Sequence, residues 1–224
     1  VVIFSGGRGS SALTVGLRNS LSKVKTSSIT NVTNAYDDGK STGEIRRVFS
    51  NNILGPSDVR KLHEVQWEAY GKDRNVDKFF DYRIKDNNQV LASLNSIVHS
   101  KKYNHEINSI YSNLPLKLKK ITKLAIQNFI NNLRKNISFE DFAFSNLVYG
   151  SLSHLYGDMQ EAENKIRECL GLQDVVLLNS SENKFLLGLA ESGELLHDES
   201  SIVSYQGLSP IYEVFLTDKP LTKN

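Results

Sequence analysis

Cysteine is nearly missing from this chain: Cys169 stands alone among 224 residues. One thiol closes no intramolecular disulfide and supplies no CxxC metal site, so the composition suits a reducing compartment and the expected location is the cytoplasm. Long apolar runs are missing too. Nothing approaches the roughly 18 apolar residues of a membrane-spanning helix, and the opening Val1–Phe4 is too short for the core of a signal peptide, so no membrane partner is expected. Neither charge dominates. The 27 basic residues stand against 25 acidic ones, a net +2, which argues against wholesale polyanion binding and leaves no nucleic-acid partner expected. The histidines, His63, His99, His105, His154 and His197, lack HxxH or HExxH spacing, so zinc chemistry is not expected, and no GxSxG marks a hydrolase nucleophile.

The first residues, VVIFSGGRGSSAL, carry the strongest local signal. Four β-formers run into a glycine-rich turn, after which Leu13, Leu17 and Leu21 recur at helical spacing. Strand, tight loop and helix start form a phosphate-binding layout, because glycines let the backbone approach a ligand and the free N–H groups opening a helix donate to an anion. Gly6, Gly7 and Gly9 would surround the phosphate, and Ser10 or Ser11 would cap the helix or touch the same anion. The other reading of these glycines is a βα turn that merely reverses the chain. No Lys follows the last glycine, so this is not a Walker loop. The acidic residue that a dinucleotide site carries about 20 positions on is also missing, where Lys23, Lys25, Ser27 and Ser28 stand instead.

A helix is predicted from about Ser10 to Lys23, then a strand over Ile29–Tyr36 that ends in DDGKSTG. Helical patterning resumes over Glu44–Phe49. Gly55–Pro56 breaks it ahead of a helix carrying Val59, Leu62 and Val65. Asp37 and Asp38 sit side by side at a strand end. Neighbours on an extended chain point to opposite sides, so one faces the site while the other ties the loop. Their chemistry is to hold Mg²⁺ with the help of substrate phosphates, or to orient a hydroxyl; the bland alternative is an Asx turn. Asp58 and Arg60 fall at the next helix start, as a cap and a surface charge or as phosphate contacts.

Further on, a helix is expected over Asn88–His99. No acidic residue occurs between Glu106 and Glu140, while lysines accumulate beside apolar residues at helical spacing, as on a solvated helix face or a positive rim near a polyphosphate. Two helices, Asn146–Leu155 and Met159–Leu170, are parted by Gly157–Asp158 and stopped at Gly171. DVVLL then reads as a strand and the SGE turn as part of a hairpin. The sequons beginning at Asn31, Asn136 and Asn179 carry no weight in a cytoplasmic protein. The fold class is α/β, a Rossmann-like doubly wound and mostly parallel sheet with an additional helical region. One nucleotide-binding domain is expected over 1–224, with a helical insertion over 72–135.

Three segments in this order and spacing, FSGGRGSSAL, NAYDDGKSTGEIRRVF and LGPSDVRKL, resemble the family of 2-phospho-L-lactate transferase and the bacterial gluconeogenesis factor, the CofD/YvcK-like proteins. FEDFAFSNLVYGSLSHLYGDMQEAENKIRECLGLQDVVLL and ESGELLHDESSIV extend the resemblance, with 72–124 aligning loosely. It implies a Rossmann-like protein that binds a GDP- or UDP-linked conjugate. In one branch a phospholactyl-type group passes to a flavin-like alcohol with Mg²⁺ and release of GMP; in the other a UDP-sugar is bound as a regulatory signal of carbon metabolism or cell shape. Carried over by motif, Gly6, Gly7, Gly9 and Ser10 surround phosphate; Asp37, Asp38, Gly39, Ser41 and Thr42 line the site; Asp58 and Arg60 match "GDIR", and Asn146 matches "GN". The catalytic and metal-holding carboxylates are then Asp37 and Asp38, and a homo-oligomer is compatible with the family. Lys40, Ser57, Lys61 and Ser145 depart from it. The start at Val1 and the lack of a "GPGSLYTS"-like segment lead to the expectation of a chain trimmed relative to the family.

Overall fold

The computed structural model describes residues 1–21, 28–70, 74–85, 89–133 and 137–221. Expectations that fall on the end of the first helix beyond Leu21, on Lys72, Asn88, Arg134, Lys135 and the sequon at Asn136 lie outside them. The chain opens with β1 (Val2–Phe4), a 3-10 turn (Gly7–Ser10) and α1 (Ser11–Leu21), followed by β2 (Thr30–Thr33), α2 (Lys40–Val48) and α3 (Ser57–Ala69). The helix-rich middle comprises α4 (Arg74–Asp81), the short β3 (Arg83–Ile84), α5 (Val90–Val98), α6 (Glu106–Asn113) and α7 (Leu116–Asn132). Then come β4 (Phe142–Ala143), α8 (Phe144–Tyr156) and α9 (Met159–Leu170). The last part runs β5 (Val175–Leu178), β6 (Phe185–Ala190), β7 (Leu195–Leu196), α10 (Glu199–Val203) and β8 (Ile211–Thr217).

β1, β2 and β5 form a parallel sheet in the order β1-β2-β5, with Phe4 opposite Val32 and Thr33 opposite Leu178. Parallel strands end at a common edge, so the loops after β1 and β2 leave on the same side of the molecule, where ligands bind in sheets of this kind. β6 pairs antiparallel with β7 and β8 in a second sheet. The SGE turn lies between β6 and β7, as its apolar flanks indicated.

The core sits around α8. From Phe144 to Ser153 every residue of that helix is buried, and α7, α9 and α2 pack around it. Aromatic rings fill the space toward the helical middle: Phe79 stacks edge-on against Phe80 and Phe144, with centroids 5.3 and 5.9 Å apart. Burying such a ring contributes about 1.5–3 kcal/mol. Gly157 and Gly171, both left-handed, end α8 and α9 where the sequence placed the breaks.

The strand, turn and helix start expected at the N-terminus are present, and burial along them follows tertiary contacts. The leucine periodicity of α1 does not define its buried face: Leu13 is 54% exposed, while Thr14 and Arg18 are buried. Asp174 is the reason. Arg18 pairs with it, and Asp174 also accepts the Ile29 N–H at 2.8 Å, so the ion pair turns α1 toward β5. The opening strand is likewise not core throughout, since Ile3 is buried but Phe4 is 81% exposed.

Candidate functional site

The acidic turn after β2 is held by backbone contacts that a side chain would block. A methyl on Gly43 would overlap the Asp38 carbonyl, and one on Gly55 would overlap the Asp37 carbonyl. Gly55 also donates its N–H to Ala35 O at 2.8 Å. On the other side Arg46, buried, donates to the carbonyls of Tyr36 (3.3 Å) and Asp37 (3.2 Å) and to Asn183 Oδ1 (2.7 Å) and Lys184 O (2.9 Å). Its guanidinium lies 4.0 Å over the Phe185 ring. Burial lowers the Arg46 pKa to about 10, against the pull of Asp38 and Asp37, so it stays cationic at neutral pH and clips the turn to the start of β6.

β2 ends at Thr33, short of the expected Tyr36, so the two aspartates lie in the turn beyond the strand and diverge there. Asp37 accepts the Gly39 N–H at 2.9 Å and the Thr42 hydroxyl at 3.4 Å, and it faces a cavity of about 300 Å³. Asp38 turns away into a neighbouring hollow and accepts the Glu199 N–H at 3.0 Å, which caps α10. Burial raises the Asp38 pKa, opposed by that hydrogen bond and by Arg46. Glu199 itself returns to the cavity and makes a side-chain hydrogen bond to Asp37; burial, then that contact, pushes its pKa up to about 8.

Around the cavity the first turns of α2 and α3 converge, with Gly39, Ser41 and Thr42 from one and Ser57 from the other. Helix N-termini present unpaired N–H groups and partial positive charge. Lys40, Lys61 and Arg83 add three cationic side chains to the same walls. Lys40 reaches Asp141 at 3.3 Å, Lys61 reaches Asp58 at 3.2 Å, and Arg83 donates to Asp141 O at 2.9 Å. Burial raises the Asp58 pKa, opposed first by Lys61. Asn146, from the buried face of α8, completes the wall and donates to Ser41 Oγ at 3.1 Å and Thr42 Oγ1 at 3.4 Å. Such a surface suits an anion with several oxygens.

Of the residues singled out in the sequence, Asp37, Gly39, Ser41, Thr42 and Asn146 meet on this cavity. Asp38 does not share it. The glycine segment is not an open loop: residues 7–10 wind into a 3-10 turn, with Gly9 N bonded to Gly6 O at 3.2 Å, packed against α3. It does leave the sheet at the same edge as the acidic turn, and Ser5 N donates to Val32 O at 2.9 Å. Yet Gly6, Gly9, Ser10 and Ser11 are not among the residues that line the cavity. Arg60, expected at a phosphate, is 3% exposed and turned inward, 2.8 Å from Glu64 and 3.1 Å from Asn146 Oδ1. Arg83 and, from α10 and the residue after it, Glu199, Ser200, Val203 and Ser204 are wall residues that the motifs did not mark. For Glu199 the signal was HDESS, an acidic helix cap after a hairpin. Among the described residues no group of three or more His, Cys, Asp or Glu side chains is placed to hold a metal ion, and no helix is long and apolar enough to cross a membrane.

Fold and site together define a Rossmann-like α/β protein with a cation-lined cavity at the edge of its parallel sheet. Residues 1–223 match the family model described as 2-phospho-L-lactate transferase CofD, and the chain belongs to the CofD family. Two crystal structures of protein BH3568 from Bacillus halodurans, one described as a member of the UPF0052 family, share the fold. They superpose with a TM-score of 0.61 at 22% and 23% identity, covering 98% of this chain and 52% of theirs. The chain therefore spans about half the length of that protein. No curated protein matches.

Proposed function

We propose that this chain binds a nucleoside diphosphate conjugate, GDP- or UDP-linked, through its diphosphate and transfers the phospho-linked group to an alcohol, as a 2-phospho-L-lactate transferase-like protein. The observation that carries the reading is the convergence of two helix N-termini and of Lys40, Lys61 and Arg83 on the cavity that Asp37 faces. At about 300 Å³ the cavity lies at the small end of ligand sites, which suits the diphosphate more than the whole conjugate. Membership of the CofD family points the same way.

Transfer of this kind asks a protein for positioning and for charge stabilisation. The acceptor oxygen forms a bond to the distal phosphorus while the bond to the nucleoside monophosphate breaks. The proton of the acceptor hydroxyl goes to Asp37, the role that sequence reading shared between Asp37 and Asp38. The donor set fits Mg²⁺ only in its phosphate-assisted mode: Asp37 is one carboxylate facing the cavity, and Mg²⁺ takes one or two carboxylates plus substrate phosphates. When bound, the ion supplies neutralisation of phosphate charge. Isothermal titration with GDP, UDP and pyrophosphate, each with Mg²⁺, tests the reading. Binding by wild type, with turnover of a conjugate lost in Asp37→Asn, is the expected result. No binding and no thermal stabilisation at millimolar ligand sinks it, and binding without turnover by any acceptor replaces it with a nucleotide sensor.

A further inference from the structure

Behind the cavity wall a chain of buried side chains runs through three helices. On α3, Arg60 pairs with Glu64 at 2.8 Å, and its Nε donates to Asn146 Oδ1 of α8 at 3.1 Å. Asn146 Nδ2 then donates to Ser41 Oγ and Thr42 Oγ1 of α2, and Thr42 donates to Asp37 Oδ2. Arg60, Glu64, Asn146, Ser41 and Thr42 are all 5% exposed or less. Water does not compete for these groups, so their directions are set by one another.

The direction is forced from one end. A guanidinium only donates, so the atom of Asn146 that meets Arg60 is its carbonyl oxygen, and the amide NH₂ is left to face the two hydroxyls. Both hydroxyl oxygens then accept. Thr42 spends its proton on Asp37. Ser41 accepts from Asn146 and donates in none of the described hydrogen bonds, at a position on the cavity wall beside the first turn of α2.

We propose that Arg60 is a positioning residue: through Asn146 it polarises the hydroxyl array so that Ser41 presents its proton to a phosphate oxygen of the ligand, which Arg60 itself never touches. This rests on the diphosphate reading above. It reassigns Arg60 from phosphate contact to orientation, and it makes Ser41 a neutral donor on a wall that also carries Lys40, Lys61 and Arg83.

The test is a double-mutant cycle read by titration with inorganic pyrophosphate and with GDP, each with Mg²⁺. Asn146→Asp keeps the shape and the Arg60 contact, but its carboxylate accepts the Ser41 proton. Ser41→Ala removes that proton outright. Each is expected to weaken binding about tenfold, the scale of one hydrogen bond to a charged group, with Ser41→Ala still unfolding in a single cooperative transition. The double variant is expected to bind no worse than Asn146→Asp alone, because the second change removes a proton already spent. If the added negative charge were the whole effect of Asn146→Asp, the two losses would add, and that overturns the inference. Ser41→Ala binding like wild type also overturns it. Arg60→Lys keeps the charge beside Glu64 and lacks the forked donor; it is expected to lose affinity at near-normal stability, whereas a merely structural role would lower stability alone. It replaces Asn146→Asp in the cycle should that variant not fold. Wild type that binds neither ligand overturns the diphosphate reading and this assignment with it; binding with additive losses overturns this assignment only.

Discussion

The carboxyl of Glu199 meets Asp37 above Gly39: a methyl placed on that glycine would sit 3.6 Å from Asp37 Oδ1 and 3.7 Å from Glu199 Oε2. The pair has a pH signature. Glu199 is raised from its ordinary 4.5 to about 8 in the folded protein, so the folded state holds a proton that the unfolded chain has released between those values. Stability from this group is therefore full below about pH 4.5, falls as pH rises, and is gone above about 8. Glu199→Gln cannot ionise. Its melting temperature relative to wild type is expected to climb from pH 5 to about pH 8 and to level off above that; a constant difference across the whole range contradicts the shared proton.

Gly55 carries the turn. The overlap of a Cβ there is with the Asp37 carbonyl, backbone against backbone, which no rotamer change relieves. Gly55→Ala is expected to cost about 1–3 kcal/mol, as overpacking does, and to weaken pyrophosphate binding by moving Asp37. Urea denaturation beside the titration separates the two effects, and a variant as stable as wild type would show that the turn yields freely.

Lys40 opens α2 with φ at 43°, in the left-handed region that favours glycine. That conformation costs an ordinary residue about 1–2 kcal/mol. The exposed pair with Asp141 returns about 0–1 kcal/mol. Lys40→Gly is thus expected to unfold at the same or higher urea concentration than wild type while binding the diphosphate less tightly. A drop in stability of more than about 1 kcal/mol would mean that the ion pair matters more than the backbone.

Asp174 and Arg18 are both buried, and Asp174 also takes the Ile29 N–H. Removing one side of such a pair strands the other, at about 3–5 kcal/mol. Asp174→Leu is expected to lose that much in equilibrium unfolding. Arg18→Met/Asp174→Leu together should recover part of it, and a double variant as unstable as the sum of both singles contradicts the pairing.

The elements that could be read from the sequence are those whose signals are local. Gly157 and Gly171 mark the ends of α8 and α9 because only a few residues decide a helix cap. The buried face of α1 is not legible in its leucine spacing, because one ion pair, Arg18 to a residue 156 positions away, sets it. Arg60 looked like a phosphate ligand for the same reason. A charged residue at a helix start suggests solvent until the glutamate four residues on and the asparagine across the core are seen beside it. Glu199 gave little sign, since its partner lies in a turn far earlier in the chain and only tertiary closure joins them.

That closure also fixes when the site comes into being. Asp38 leaves the ribosome 161 residues before the backbone amide it caps, and Glu199 emerges after the parallel sheet is complete. Contacts of such separation form late, because loop entropy must be met before they contribute. A growing polypeptide therefore carries its acidic turn unfinished until residue 199 has emerged, and ligand affinity becomes a record that this helix has docked.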